Sequence, residues 1–345
     1  MEEDTIPRTS ITFILGKDIY AYNQYYALAN HYYRIHHEDK TEIVIDTITS
    51  ISQVCDYLRE NPPENNRPYG LINLVSHGNE FVDLSVLVCP KGQRASAESL
   101  QQALSDSIFI PLESSILDSN TLIYLHGCAV GNNQALLTNL ARCFGSNSNK
   151  VQLKASKLFE YYTYLSKNKD PMSIRHYFAK AWYAFYHPDD IPDDDGFANQ
   201  LAVRYRRENV NWKEGIQRRF QSNPSEIYHY SFVVPILWEN AYEDVSLMPL
   251  LNTKARKQEW LMQNHALLNL ISKTGVPLDY FQFKYYRQQY EKDGKAIPVL
   301  RVRAKAGVLC LIQPLLSDND SLRQLLIPFQ PMEDDTLYFG FAGKM

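Results

Sequence analysis

At about 150 residues per domain, a chain of 345 residues has room for two domains, each with its own core. Hydrophobic residues make up 45% and charged ones 21%, and 14 Gly with 17 Pro exclude a collagen-like or low-complexity chain. A formal charge of −4 argues against a nucleic-acid binder over the whole chain, and no apolar run approaches the length of a membrane span.

The start, MEEDTIPRTS, is acidic and lacks the basic and apolar regions of a secretory signal, so a cytoplasmic location is expected. Five cysteines, Cys55, Cys89, Cys128, Cys143 and Cys310, are odd in number and widely spaced, which indicates neither a disulfide framework nor a zinc ribbon. Tyrosine is unusually frequent at 24 residues.

Residues 1 to about 165 alternate strands with helices. Ile11 to Leu15 is an apolar run ended by Gly16, and Ile43 to Ile48 is a second. Ser50 is positioned to cap a helix that Pro62 and Pro63 stop. Leu71 to Val75 reads as a central parallel strand and ends in Ser-His-Gly-Asn. Leu84 to Val88 with Pro90-Lys91-Gly92 suggests a hairpin, and Ala97 to Leu104 a helix. Leu122 to Leu125 repeats the strand with a polar tip, HGCAVG, before a helix at Gln134 to Cys143 and a strand at Val151 to Ala155. This alternation predicts a mostly parallel sheet with helices on both faces, whose ligand crevice lies at the carboxyl ends of the strands.

Beyond 166 the pattern changes. Ser173 to Tyr186 reads as an aromatic-rich amphipathic helix, followed by the acidic loop 189–196, a helix from Phe197 to about Glu208 and a strand at Phe232 to Trp238. A helix from about 252 leads to β segments at Phe281 to Tyr286 and Ile297 to Lys305, joined through the turn signal Asp293-Gly294. The expected organisation is a domain over 1–245 and a small α+β module over 246–345.

His77 and Cys128 each follow a buried apolar run, where two neighbouring strands would bring imidazole and thiol to one crevice across 51 residues. A thiol attacks a carbonyl as thiolate, so it needs a base or cation nearby, and His is the usual supplier. Gly78 and Gly127 would allow tight turns there, the N–H groups of Gly78 and Cys128 are candidate oxyanion donors, and the helix after Gly131 would aim its positive end at the thiol.

LINLVSHG, followed some fifty residues on by TLIYLHGC and AVG, resembles the caspase-like cysteine peptidases, the group of caspases, metacaspases, separases, legumains, gingipains and bacterial CHAT domains. The resemblance spans 11–165 and, more loosely, extends to about 240. It implies a caspase-like three-layer sandwich, Cys128 as nucleophile, His77 as acid and base, and a dedicated protein substrate, often in defence or programmed-death systems. The family places a substrate-reading residue two before the Cys. Here that is His126, neither the Gln of caspases nor the Asp of metacaspases, which favours a neutral or apolar preference, and the caspase signature QACRG is absent.

Arg204, with Arg206 and Arg207, is a candidate for a specificity pocket, against the alternative of a solvated helix face. His126 and Cys128 could share a zinc ion, but no second ligand pair is visible, so no metal or other cofactor is expected. The acidic loop has two readings, a cleavage linker or a solvated loop. Residues 251–305 carry eleven Lys/Arg against four acids, and alternation puts Arg301, Arg303 and Lys305 on one strand face. That face could receive an activating partner or ligand, such as an acidic protein or a nucleotide signal. Nucleic acid is disfavoured without being ruled out, and no membrane partner is expected. The rival to a peptidase is a catalytically inactive recognition module that works through this face.

Overall fold

The computed structural model describes residues 8–19, 24–35, 42–63, 67–145, 151–164, 168–219, 226–292, 295–315 and 338–342. The chain divides into two compact units, 1–180 with 313–345, and 181–312. The boundary expected at 245 thus falls inside the second unit.

The first unit is mixed α/β. In chain order come β1 (Ser10–Ile14), α1 (Tyr25–Ile35), β2 (Glu42–Ile45), α2 (Ile51–Glu60), β3 (Leu71–Val75), α3 (Ala97–Ser105), β4 (Leu122–His126), α4 (Gln134–Phe144) and β5 (Gln152–Ser156). Five parallel strands lie in the order β5-β4-β3-β1-β2. A last strand, β11 (Tyr338–Ala342), adds antiparallel to β5. β1, β3 and β4 are buried at all but their first residue, as strands covered on both faces should be. On one face Phe13, Leu74, Ile123 and Leu153 pack with Val54 and Leu58 of α2, Leu100 of α3 and Leu137 and Leu140 of α4. Each such side chain, fully buried, contributes about 1.5–3 kcal/mol. The opposite face carries Ile14 and Val75 against Tyr25, Leu28, Ala29 and Tyr33 of α1.

Local signals set the helix ends. Ser50 caps α2 by accepting from the Gln53 N–H, and Asn61 ends it just before Pro62. Ser96 and Ser99 close a reciprocal capping box on α3. Between β3 and α3 the expected hairpin at 84–92 is reduced to isolated bridges, Asn79 with Val82 and Leu87 with Arg94.

A second, antiparallel sheet holds β6 (Phe159–Tyr164), β7 (Ile174–Tyr186), β8 (Tyr228–Ala241), β9 (Gln282–Lys292) and β10 (Lys295–Pro314), in the order β6-β7-β10-β8 with β9 on β10. The helix expected over 173–186 is therefore strand β7. Its aromatic residues suit a pleated surface, and because it is buried on both faces the usual alternation is lost, leaving spacings that mimic a helical stripe. β6 and β7 pair from Phe159 with Ala179 to Tyr164 with Ile174.

The second unit contains α5 (Asp194–Arg204), α6 (Trp212–Gln217), α7 (Lys254–Gln263) and α8 (His265–Lys273), whereas β6 and the first half of β7 belong to the first unit. Trp182, Phe197, Leu201, Trp212, Leu309 and Leu311 form its core. In the acidic loop Asp193 caps α5, and Asp194 and Asp195 occupy its first turn, where the helix dipole favours negative charge. The helix expected from 252 is two, divided at Asn264, which caps α8. Asp293-Gly294 lies outside the described residues, but Lys292 pairs with Lys295 as that hairpin requires. No helix among the described residues is long and apolar enough to cross a membrane.

Candidate active site

Because β1, β3 and β4 are parallel neighbours, their carboxyl ends open on one side of the sheet. Three chemically able residues follow those ends: Asp18 after β1, His77 after β3 and Cys128 after β4. The β3–β4 ladder continues past the strands, with the Ser76 N–H donating to the His126 carbonyl at 3.0 Å and the Cys128 N–H to the Gly78 carbonyl at 3.1 Å. The two halves of the expected dyad are thereby stitched together at the backbone.

His77 is held from several sides. Its ring stacks on Tyr25 with centroids 4.5 Å apart and meets the edge of Tyr26 at 4.6 Å. Its N–H donates to the Tyr26 hydroxyl at 2.8 Å, and its carbonyl accepts from the Ser85 N–H at 2.7 Å. Tyr26 can lie there because residue 16 is glycine: a Cβ at Gly16 would come within 2.4 Å of the Tyr26 ring. The Nε2 atom is 4.0 Å from Asp18 Oδ1, while Asp18 itself accepts from the Tyr26 and Ala27 N–H groups at the start of α1. Burial lowers the His77 pKa to about 4 although Asp18 opposes it, so the ring is neutral near pH 7.

The Cys128 thiol donates to the Glu160 carbonyl of β6 at 3.3 Å. Burial pushes it up to about 12, and the Glu160 carboxylate adds to the rise. Cys128 therefore rests as a protonated thiol. The helix expected after Gly131 begins later: a short 3-10 turn, Val130–Asn132, follows the cysteine before α4 starts at Gln134. Ala129, directly after the cysteine, adopts the left-handed conformation at φ 57°, costing about 1–2 kcal/mol for a residue with a Cβ. Such strain on the residue next to a chemically able side chain is a feature of functional turns.

Other expectations are corrected. Gly78 and Gly127 are not at positive φ. They serve close approach, since a Cβ would fall 2.8 Å from Leu84 Cδ2 and 3.1 Å from the Ser76 carbonyl oxygen respectively. The Cys128 N–H, expected as an oxyanion donor, is turned to the Gly78 carbonyl because the strand ladder runs on. His126 does not line a specificity pocket. It is 6% exposed, with Nδ1 2.8 Å from Glu160 Oε2 and Nε2 2.9 Å from the Tyr33 hydroxyl and 3.1 Å from Asn73 Oδ1. Arg204 belongs to the second unit and lies over the Phe185 ring at 4.5 Å.

Glu160 and His176 are functional candidates that the sequence pattern did not single out. His176 Nε2 is 3.0 Å from the same Glu160 Oε2. Burial alone would raise the Glu160 carboxyl, but His126 and His176 more than offset it and hold it below its usual range. Burial depresses His126 in turn, against the pull of the carboxylate.

In the second unit, one exposed sheet face carries the basic strand. Arg301 is neutralised by Glu239 and bonded to the Tyr290 hydroxyl. Arg303 and Lys305, with Lys284, Tyr286, Pro235 and Leu237, line a groove of about 470 Å³.

Compared with known proteins, the chain matches no family model, no curated protein and no solved structure.

Proposed function

We propose that this chain is a caspase-like cysteine endopeptidase, with Cys128 as nucleophile and His77 as acid and base, acting on a protein substrate in the cytoplasm. The observation that carries it is the placement of His77 and Cys128 just past the carboxyl ends of adjacent parallel strands, stitched by the Cys128 N–H to the Gly78 carbonyl. Asp18, 4.0 Å from Nε2, orients the imidazole, so Nδ1 is the nitrogen for proton transfer. Attack requires Sγ to leave the Glu160 carbonyl and pass its proton to neutral His77. The thiolate forms an acyl-enzyme as the amide C–N bond breaks, and the imidazolium protonates the leaving amine. Water, deprotonated by the same imidazole, then releases the acid and the thiol. The left-handed Ala129 fits a turn that presents the nucleophile. The free thiols suit a reducing compartment.

The test is incubation with a peptide library, read by mass spectrometry, together with a peptidyl electrophile. Cys128→Ala is expected to abolish both cleavage and the covalent adduct, and His77→Ala to slow cleavage by about 10²–10⁴-fold. Cleavage that persists unchanged in Cys128→Ala overturns the reading.

A second reading, an inactive recognition module for an acidic partner, is favoured by the groove around Arg303 and by the protonated resting thiol. It is preferred if wild type forms no adduct and cleaves nothing while Arg303→Glu abolishes binding of an acidic peptide.

A further inference from the structure

His126 on β4, Glu160 on β6 and His176 on β7 converge so that one ligand atom from each lies within 4.8 Å of the others. All three side chains are at most 11% exposed. We infer that this cluster binds one divalent transition-metal ion, zinc by its chemistry, through His126 Nδ1, His176 Nε2 and a Glu160 oxygen.

Four observations support the inference. Two imidazoles and a carboxylate are a zinc donor set, with a fourth position left for water. Glu160 Oε1 is buried and has no hydrogen-bond partner among the described residues, so an ionised carboxylate faces the cluster with one oxygen unsatisfied. The outer side of His126 is arranged as in metal sites. Metal ligation at Nδ1 puts the proton on Nε2, and Asn73, whose Nδ2 donates to Thr12 Oγ1 at 3.0 Å, presents Oδ1 to accept it at 3.1 Å. In that tautomer Nδ1 and Glu160 Oε2, 2.8 Å apart, oppose two lone pairs, and a cation between them removes the conflict. Finally, the size is within reach: zinc arms of about 2.0–2.2 Å at tetrahedral angles separate ligand atoms by about 3.3 Å. The His126–Glu160 and His176–Glu160 separations of 2.8 and 3.0 Å open by a few tenths of an ångström, and the ligand atoms, all within 4.8 Å of one another, draw in around the ion.

Aromatic rings enclose the cluster. Tyr124 lies 4.1 Å from the His126 ring, Tyr162 stacks on His176 at 4.7 Å, and Phe178 flanks His176 at 4.9 Å, all between centroids. Few waters would compete for the ion. The bound ion ties β4 to β6 and β7, and so holds the strand end that carries Cys128. It takes no part in the peptidase chemistry, so the two readings fail separately.

The full chain, stripped with a chelator and dialysed against Zn²⁺, is expected to retain one zinc, and Cys128→Ala the same. His176→Gln and Glu160→Gln are each expected to weaken retention by about tenfold or more. Co²⁺ in place of zinc should give the visible bands of a four-coordinate nitrogen and oxygen site without a thiolate charge-transfer band. A wild type that retains no zinc, variants that retain as much as wild type, or a thiolate band overturns the inference. If both variants fail to fold, the wild type decides: cobalt bands with a rise in Tm on adding zinc support it, and the lack of either overturns it.

Discussion

His77 stacks on one tyrosine, abuts a second and faces Asp18, and this environment predicts a definite pH response. Its folded pKa of about 4 lies below the unfolded value of about 6.5, so between these values the unfolded chain binds more protons. The contribution of His77 to stability is therefore complete above about pH 6.5 and is lost as pH falls toward 4. Asp83, raised to about 6 by partial desolvation of its carboxylate and the nearby Glu98 charge, has the opposite slope, but much of the residue reaches solvent and screening weakens the effect. Chemical denaturation at a series of pH values should show wild-type stability dropping more steeply below pH 6.5 than that of His77→Gln. Equal slopes would mean that the ring is solvated. At this scale the sequence disclosed His77 and Cys128 because each ends an apolar run in a polar tip. Asp18 ends ITFILGKD in the same way, and the strand-end criterion applied evenly would have found it. Glu160 and His176 carried no such sign, because their meeting with His126 depends on an antiparallel pairing that local sequence does not encode.

Among the elements, the parallel strands and α2, α3 and α4 were legible because each strand is a short apolar run between turn residues, and each of these three helices starts at a side-chain cap. β7 was not, because a strand paired on both edges and buried on both faces has no period of two left to read. Strand β10 carries a related device. Gly307 lies opposite Val233 of β8 with the Tyr186 ring across it, and a Cβ there would approach that ring to 2.2 Å. The ring covers the gap that the missing side chain leaves in the pleat. Gly307→Val should cost roughly 1–3 kcal/mol through overpacking, seen as a lower urea midpoint with an unchanged slope. A midpoint equal to wild type would mean that Tyr186 swings aside freely.

For the molecule as a whole, length suggests two domains, and the chain divides into two compact units at other places than the sequence pattern suggests. Composition along the chain shifts at 166 and 245, whereas compactness divides the chain at 180 and 312, because β7 and β10 each contribute to both units. The first unit is thus built from two stretches of sequence with the second unit between them. Its sheet ends at β5 on one side, and β11 covers that edge. A chain ended at residue 315 leaves the outer edge of β5 unpaired and should self-associate in sedimentation velocity at concentrations where the full chain does not.

The covering strand has a further cost in time. A ribosome adding about 5–20 residues per second finishes β5 and then needs roughly 10–40 s to reach residue 338, having made the entire second unit in between. For that interval the nascent sheet carries an open edge with Gln152 and Lys154 along it, and Lys154 is its one charged guard against pairing with a neighbouring nascent chain. Yield should therefore depend on how fast the second half of the message is read: slow codons between 157 and 337 lengthen the exposure, and fast ones shorten it.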